Sequence, residues 1–302
     1  MASGRPRYYA PLIALVALVV AVVAFGGRDT TSSSVTTTSA AGYGLRGHPT
    51  PAIAAAIQAA TNAYRSLVVQ SGEAVSTATA ALLADVRANR LDAARHDWAV
   101  AQSAYDHLRG PIQANSPAAL EFDGRVSDLP ATMGRTGLHA VEQDLYGATR
   151  KQLANDAATV ATQTVVLQLS LYRTPATPSA MLTNAQLQLA WAVDDCVTQR
   201  QEVYTHLDLL DVAAEVDAVH TIVDAVTPLA SAVKPSDLAA ITTRLDALEH
   251  QIATLGDPLT TRDETLTTAT WSRLSSQITA LLEPLTTLSG DLYGYGTGRT
   301  YA

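Results

Sequence analysis

The chain has 302 residues, 47% of them hydrophobic but only 5% aromatic, and a formal net charge of -8 with a pI near 5.3. That length is ample for one large core or two small ones, and with so few rings the core must rest on small aliphatic groups at helix contacts. The acidic balance, with no basic stripe to displace counterions from phosphates, excludes nucleic acid and suits a cation better.

Arg5 and Arg7 precede an uncharged run from Tyr8 to Gly27, with an apolar heart from Leu12 to Phe25 and Arg28 as the next charge. The positive flank predicts a cytoplasmic N-terminus and export of everything that follows. The apolar heart fits a signal peptide, and the full run is just long enough to span a bilayer, which tips the reading towards a retained anchor. No cysteine lies near this segment, which excludes a lipoprotein; Cys196 stands alone and cannot form an internal disulfide. Residues 1–27 are therefore read as signal peptide or membrane anchor and 28–50, rich in Ser, Thr and Gly, as a flexible tether. A helical domain is expected over 51–292 and a flexible tail over 293–302.

From Pro51 onwards apolar residues recur at helical spacing, at Ile53, Ile57, Ala60, Leu67, Val75, Leu82 and Val86, with Asn89 as the stop. A second helix is predicted from Leu91 to about Leu108, ended by Gly110-Pro111. The stretch from Gln113 to Gly134 holds Pro117 and Pro130 without a sustained period and reads as a structured loop. Further helices are expected from Thr136 to about Tyr172, from Ala180, and over Glu202 to Val226, Ser236 to Leu255 and Asp263 to Leu288. No β-alternation is visible, so the fold class is all-α, with seven or eight helices in antiparallel bundle packing.

Thr136-Gly137-Leu138-His139-Ala140-Val141-Glu142 carries the most specific chemistry. His139 and Glu142 lie three positions apart, on one helix face, so imidazole and carboxylate can converge on one cation. A buried His–Glu pair that only fixes packing is the alternative. Thr136 is suited to capping this helix, and Gly137 to a close backbone approach. Asp208, Asp211 and Glu215 form an acidic stripe at i, i+3 and i+7, where mutual repulsion calls for a cation or an arginine. Glu215 reads as part of a solvated face, and His206 points away from Asp208 towards Glu202. Glu73 is nearly the sole charge between Arg65 and Asp85, which suggests a buried carboxylate in need of a partner or a metal ion, and so a further candidate for the metal site.

Taken in order, Val86–Ala94, Tyr105-Asp106-His107-Leu108, the Thr136 motif and Tyr204–Asp211 resemble the imelysin-like domain of EfeO-type (EfeM/EfeO) bacterial iron-uptake proteins. The family's landmarks run V-x-A-G-D-L, Y-E-x-I-E-P, T-G-F-H-x-x-E and Y-S-H-x-D-L-x-D, and the similarity extends from about Ala52 to Ser289. It implies two packed antiparallel four-helix bundles behind the N-terminal hydrophobic segment. It also implies a metal site drawn from His139, Glu142, Asp208 and Asp211, with Asp123 and Asp128 where the family also places acids. The implied role is the extracytoplasmic component that captures iron, as Fe2+ or Fe3+ or with another divalent metal in its place, for an inner-membrane iron permease that works beside a haem peroxidase.

Two departures bear on that role. Leu138 replaces the family's Phe, and Arg109-Gly110 stand before Pro111 where a second glutamate is expected, which should weaken a cation site built on it. The chain has no His/Cys/Met cluster for a cupredoxin domain and resembles the short form. The Arg109 departure keeps open a different class of function, a non-metal module of the cell envelope that binds a polysaccharide or protein on the same scaffold. Enzymatic activity is not expected. The paired histidines of a zinc peptidase helix and a Gly-x-Ser-x-Gly elbow are both missing, and Cys196 has no nucleophile signature.

Overall fold

Thr50 and Pro51 start the first helix: the Thr50 hydroxyl accepts the Ile53 amide at 3.3 Å, and proline supplies a preset φ where no donor is needed. In the computed structural model, which describes residues 49–112, 116–125, 135–148, 150–198 and 201–295, this helix α1 runs over Pro51–Arg87. It stops at Asn89, whose φ of 55° is left-handed, as expected. Then follow α2 (Leu91–Asp106), α3 (Arg109–Ile112), α4 (Pro117–Asp123), α5 (Gly137–Tyr146), α6 (Leu153–Leu171), α7 (Pro178–Thr198), α8 (Asp208–Val233), α9 (Pro235–Leu255) and α10 (Thr268–Leu292). Two 3-10 turns, Asp263–Thr265 and Tyr293–Tyr295, complete the set, and there is no strand among the described residues. All of these belong to one unit, His48–Thr300.

The protein is all-α, and several boundaries differ from expectation. Gly110 and Pro111 do not end a helix but sit inside the turn α3, where proline occupies an early position that needs no amide donor. The predicted loop over 113–134 contains α4, capped by the Ser116 hydroxyl on the Ala119 amide at 3.2 Å. The helix expected from Thr136 to Tyr172 is two helices, α5 and α6, because α5 ends at Gly147. The helix expected from Glu202 begins only at Asp208, since His206 has a φ of 59° and the segment before it turns.

Burial follows seams of apolar residues. In α10 Leu274, Ile278, Leu281, Leu285 and Leu288 are fully buried at alternating spacings of four and three, and Ile241, Leu245, Leu248 and Ile252 repeat that rhythm in α9. Helices α7, α8, α9 and α10 contact one another in a ring; α1, α2, α5 and α6 do the same. Helix α8 also packs on α1 and α2, so it belongs to both groups. Although α1 and α8 are apolar enough to cross a bilayer by length and composition, the apolar stretch of α8 is more than half buried in the protein, as in a core helix. The N-terminal hydrophobic segment, most of the tether and most of the tail lie outside the described residues.

Candidate metal and arginine centre

The N-terminus of α5 is set by Gly137. Its φ of 73° is left-handed, and a Cβ there would collide with the Phe122 carbonyl, so α5 approaches the end of α4 at a distance only glycine allows. Thr136 does not cap α5; its hydroxyl donates to the Glu121 carbonyl at 3.2 Å and accepts from Gln163 Nε2 at 2.9 Å. One turn into α5 come His139 and Glu142, both buried, with Nδ1 and Oε2 3.4 Å apart.

Glu142 is held firmly. The backbone amides of Tyr204 and Thr205 donate to its Oε1 at 2.7 and 2.9 Å, and the Thr205 hydroxyl adds a third bond at 3.2 Å. Those donors come from the turn before α8, and the same turn delivers Glu202, which is 0% exposed. Glu202 Oε2 lies 3.5 Å from the Thr205 hydroxyl, while Oε1 has no hydrogen-bond partner among the described residues. Ligand atoms of His139, Glu142 and Glu202 all lie within 4.8 Å of one another. Burial, followed by the charges of Glu142, Asp123, Asp208 and Asp106, pushes the Glu202 carboxyl well above its ordinary range. For His139, burial works to lower the pKa, but Asp123 and Glu142 outweigh it and the net direction is up.

Beside this triad lies a second focus of charge. Arg109 is 2% exposed, and each of its three guanidinium nitrogens meets a different carboxylate: Nε–Asp106 at 3.0 Å, Nη2–Asp123 at 2.9 Å and Nη1–Glu215 at 2.8 Å. The Tyr105 and Trp191 rings flank it, with centroids 5.9 and 5.8 Å from Cζ. Burial pushes Asp106 up to about 6 against the pull of Arg109. Gly110 brings α3 close to α7: its amide donates to Gln188 Oε1 at 2.6 Å, and a Cβ there would strike the Asn184 carbonyl.

Gln201 links the two foci. Its amide donates to Asp208 Oδ1 at 2.9 Å, and its Nε2 lies 3.4 Å from Asp123 Oδ2 and 3.1 Å from His139 Nε2. Asp123 touches both sides, through Arg109 and through His139 Nε2 at 3.5 Å. The result is one buried cluster with seven carboxyl groups, of Asp106, Asp123, Glu142, Glu202, Asp208, Asp211 and Glu215, against Arg109 and a protonatable His139. Such a surplus of buried negative charge favours either bound protons or a bound cation.

Of the residues singled out from sequence, His139, Glu142, Asp123, Asp208 and Asp211 come together here. Glu73 does not: it is exposed on α1, because the Ala/Thr-rich face it occupies points to solvent. Asp128 lies outside the described residues. Glu215 is corrected from a solvated position to a fully buried partner of Arg109. His206 is not on a helix, and its carbonyl accepts the amide of Asp263, itself a buried acid. Glu202, Gln201 and Thr205 are site residues that the sequence does not mark, because they belong to the turn before α8 and not to the helix expected from Glu202. A second group, His220 with Asp246 and Glu249, gathers on the outer side of α8 and α9, where Glu249 already bonds His220 Nδ1 at 2.7 Å.

Fold and site together define an all-helical protein whose buried acidic cluster is shared between an arginine and a histidine. No family model matches the chain, and no curated protein matches it.

Proposed function

We propose that the chain is an extracytoplasmic metal-binding protein of an EfeO-type iron-uptake system, which captures iron and passes it to a membrane permease. The observation that carries this reading is the buried Glu202 Oε1, which lacks a hydrogen-bond partner among the described residues and lies beside His139 and Glu142 with ligand atoms within 4.8 Å. An imidazole and two carboxylates suit Fe2+ or Fe3+, and Zn2+ or Mn2+ as well. On this reading the two rings of contacting helices are two imelysin-like four-helix bundles, with α8 shared at their junction. Residues 8–27 would tether the domain to the membrane and 28–50 would give it reach. The permease and haem peroxidase are the partners that the resemblance implies, and no catalytic step is assigned.

A second reading, a non-metal module of the cell envelope, is favoured by Arg109, which already neutralises part of the cluster. Titration of the purified chain with Fe(II) under anaerobic conditions, chelated Fe(III), Zn(II) and Mn(II) separates the two. The metal reading predicts saturable binding that weakens tenfold or more in Glu202→Gln and in His139→Ala. No saturable binding of any of these ions would leave the second reading standing.

A further inference from the structure

The acidic cluster already holds one cation, Arg109. Its guanidinium is fully buried, its three nitrogens are each committed to a different carboxylate at 2.8–3.0 Å, and two aromatic rings flank it. A guanidinium keeps its charge at every accessible pH and, tethered to α3, cannot leave. Asp123 is the carboxylate that bridges this place to the one at His139, Glu142 and Glu202: one oxygen accepts from Arg109 Nη2 at 2.9 Å, and the other lies 3.5 Å from His139 Nε2.

We infer that Arg109 is the permanent occupant of a second cation place, and that its charge limits this cluster to a single exchangeable metal ion at His139, Glu142 and Glu202. The inference rests on the metal reading for the exchangeable place only. Removing the guanidinium would leave Asp106, Asp123 and Glu215 facing a cavity of oxygen ligands, which is the donor set that hard divalent cations take, with water completing the coordination. Arg109 would then govern both stoichiometry and field. By holding +1 where an ion would bring +2, it leaves the cluster net negative and attractive to one further cation, while its own charge raises the cost of a second.

Mn(II) is the probe, counted per chain by its free-ion electron paramagnetic resonance signal at saturation. The wild-type chain should bind one ion, Arg109→Ala two, Arg109→Lys one, and Arg109→Ala/Glu202→Gln one, held at the opened place. A count for Arg109→Ala equal to or below the wild-type count overturns the inference. If the wild type binds none and Arg109→Ala binds one, the exchangeable site fails while the arginine's place stands. Should Arg109→Ala not fold unaided, its helical circular dichroism should return on refolding in Mn(II) and not in KCl of matched ionic strength; no return in Mn(II) also overturns the inference.

Discussion

Both ring nitrogens of His107 are engaged: Nδ1 lies 2.7 Å from the Ser103 carbonyl and Nε2 2.7 Å from Asp217 Oδ2. A neutral imidazole has one proton and can donate only one of these bonds, so the pair favours the cation. Burial works against that charge, but the Asp217 and Ser103 bonds outweigh it and His107 is raised, while its bond lowers Asp217. The raised histidine contributes stability that is complete below its unfolded pKa of about 6.5 and is lost as pH rises through the folded value. The lowered aspartate contributes above about 3.9 and loses its share as pH falls through its depressed value. Asp217→Asn should therefore cost most between about pH 4 and 6.5, by up to about 1 kcal/mol given the exposure of Asp217, and less in alkaline buffer. Urea unfolding within that window and in alkaline buffer checks it; an equal cost at alkaline pH would contradict it. None of this was legible from the sequence, because His107 and Asp217 are 110 positions apart and sit on different helices.

At the scale of elements, the fold is carried by spacing and its joints by glycine. The rhythm of fours and threes in α9 and α10 states which faces are buried; the expected start of α9 at Ser236 is one residue late, whereas α10, expected from Asp263 to Leu288, runs over Thr268–Leu292 after a separate 3-10 turn. The breaks were not readable. The interruption between α5 and α6 lies at Gly147 and the residues after it, and the turn before α8 depends on His206 adopting a left-handed φ, a conformation that local pattern does not announce. That turn is why Glu202 went unrecognised: in a helix it would lie away from His139. Gly137 was recognisable, and the structure gives its reason, since both its φ and the Phe122 carbonyl forbid a side chain. Gly137→Ala should lower stability by about 2–4 kcal/mol, from left-handed strain together with overpacking against α4. Chemical denaturation measures this, and a loss under about 1 kcal/mol would mean that α4 moves aside readily.

For the whole molecule, α8 is the element that joins everything. It packs against helices of both rings, and its first two turns place Asp208, Asp211 and Glu215 inside the protein, near the end of the helix where negative charge is favoured. In the acidic stripe, Glu215 alone reads from sequence as part of a solvated face. Glu215 is buried because Arg109 reaches it from α3, across 106 positions of chain. The sequence marked Arg109 as a departure and predicted a weaker cation site. The structure makes it the charge that allows three acids to share one interior, while the His139, Glu142 and Glu202 triad keeps its own geometry.

The central claim is that this triad holds a metal ion. Crystals of the chain grown or soaked with Zn(II) or Mn(II), measured on both sides of the metal's absorption edge, test it most directly. The account predicts one anomalous peak within about 2.0–2.2 Å of a His139 nitrogen and of Glu142 and Glu202 oxygens, and its loss in Glu202→Gln. A peak elsewhere, as at His220 with Glu249, or no peak at saturating metal would contradict it.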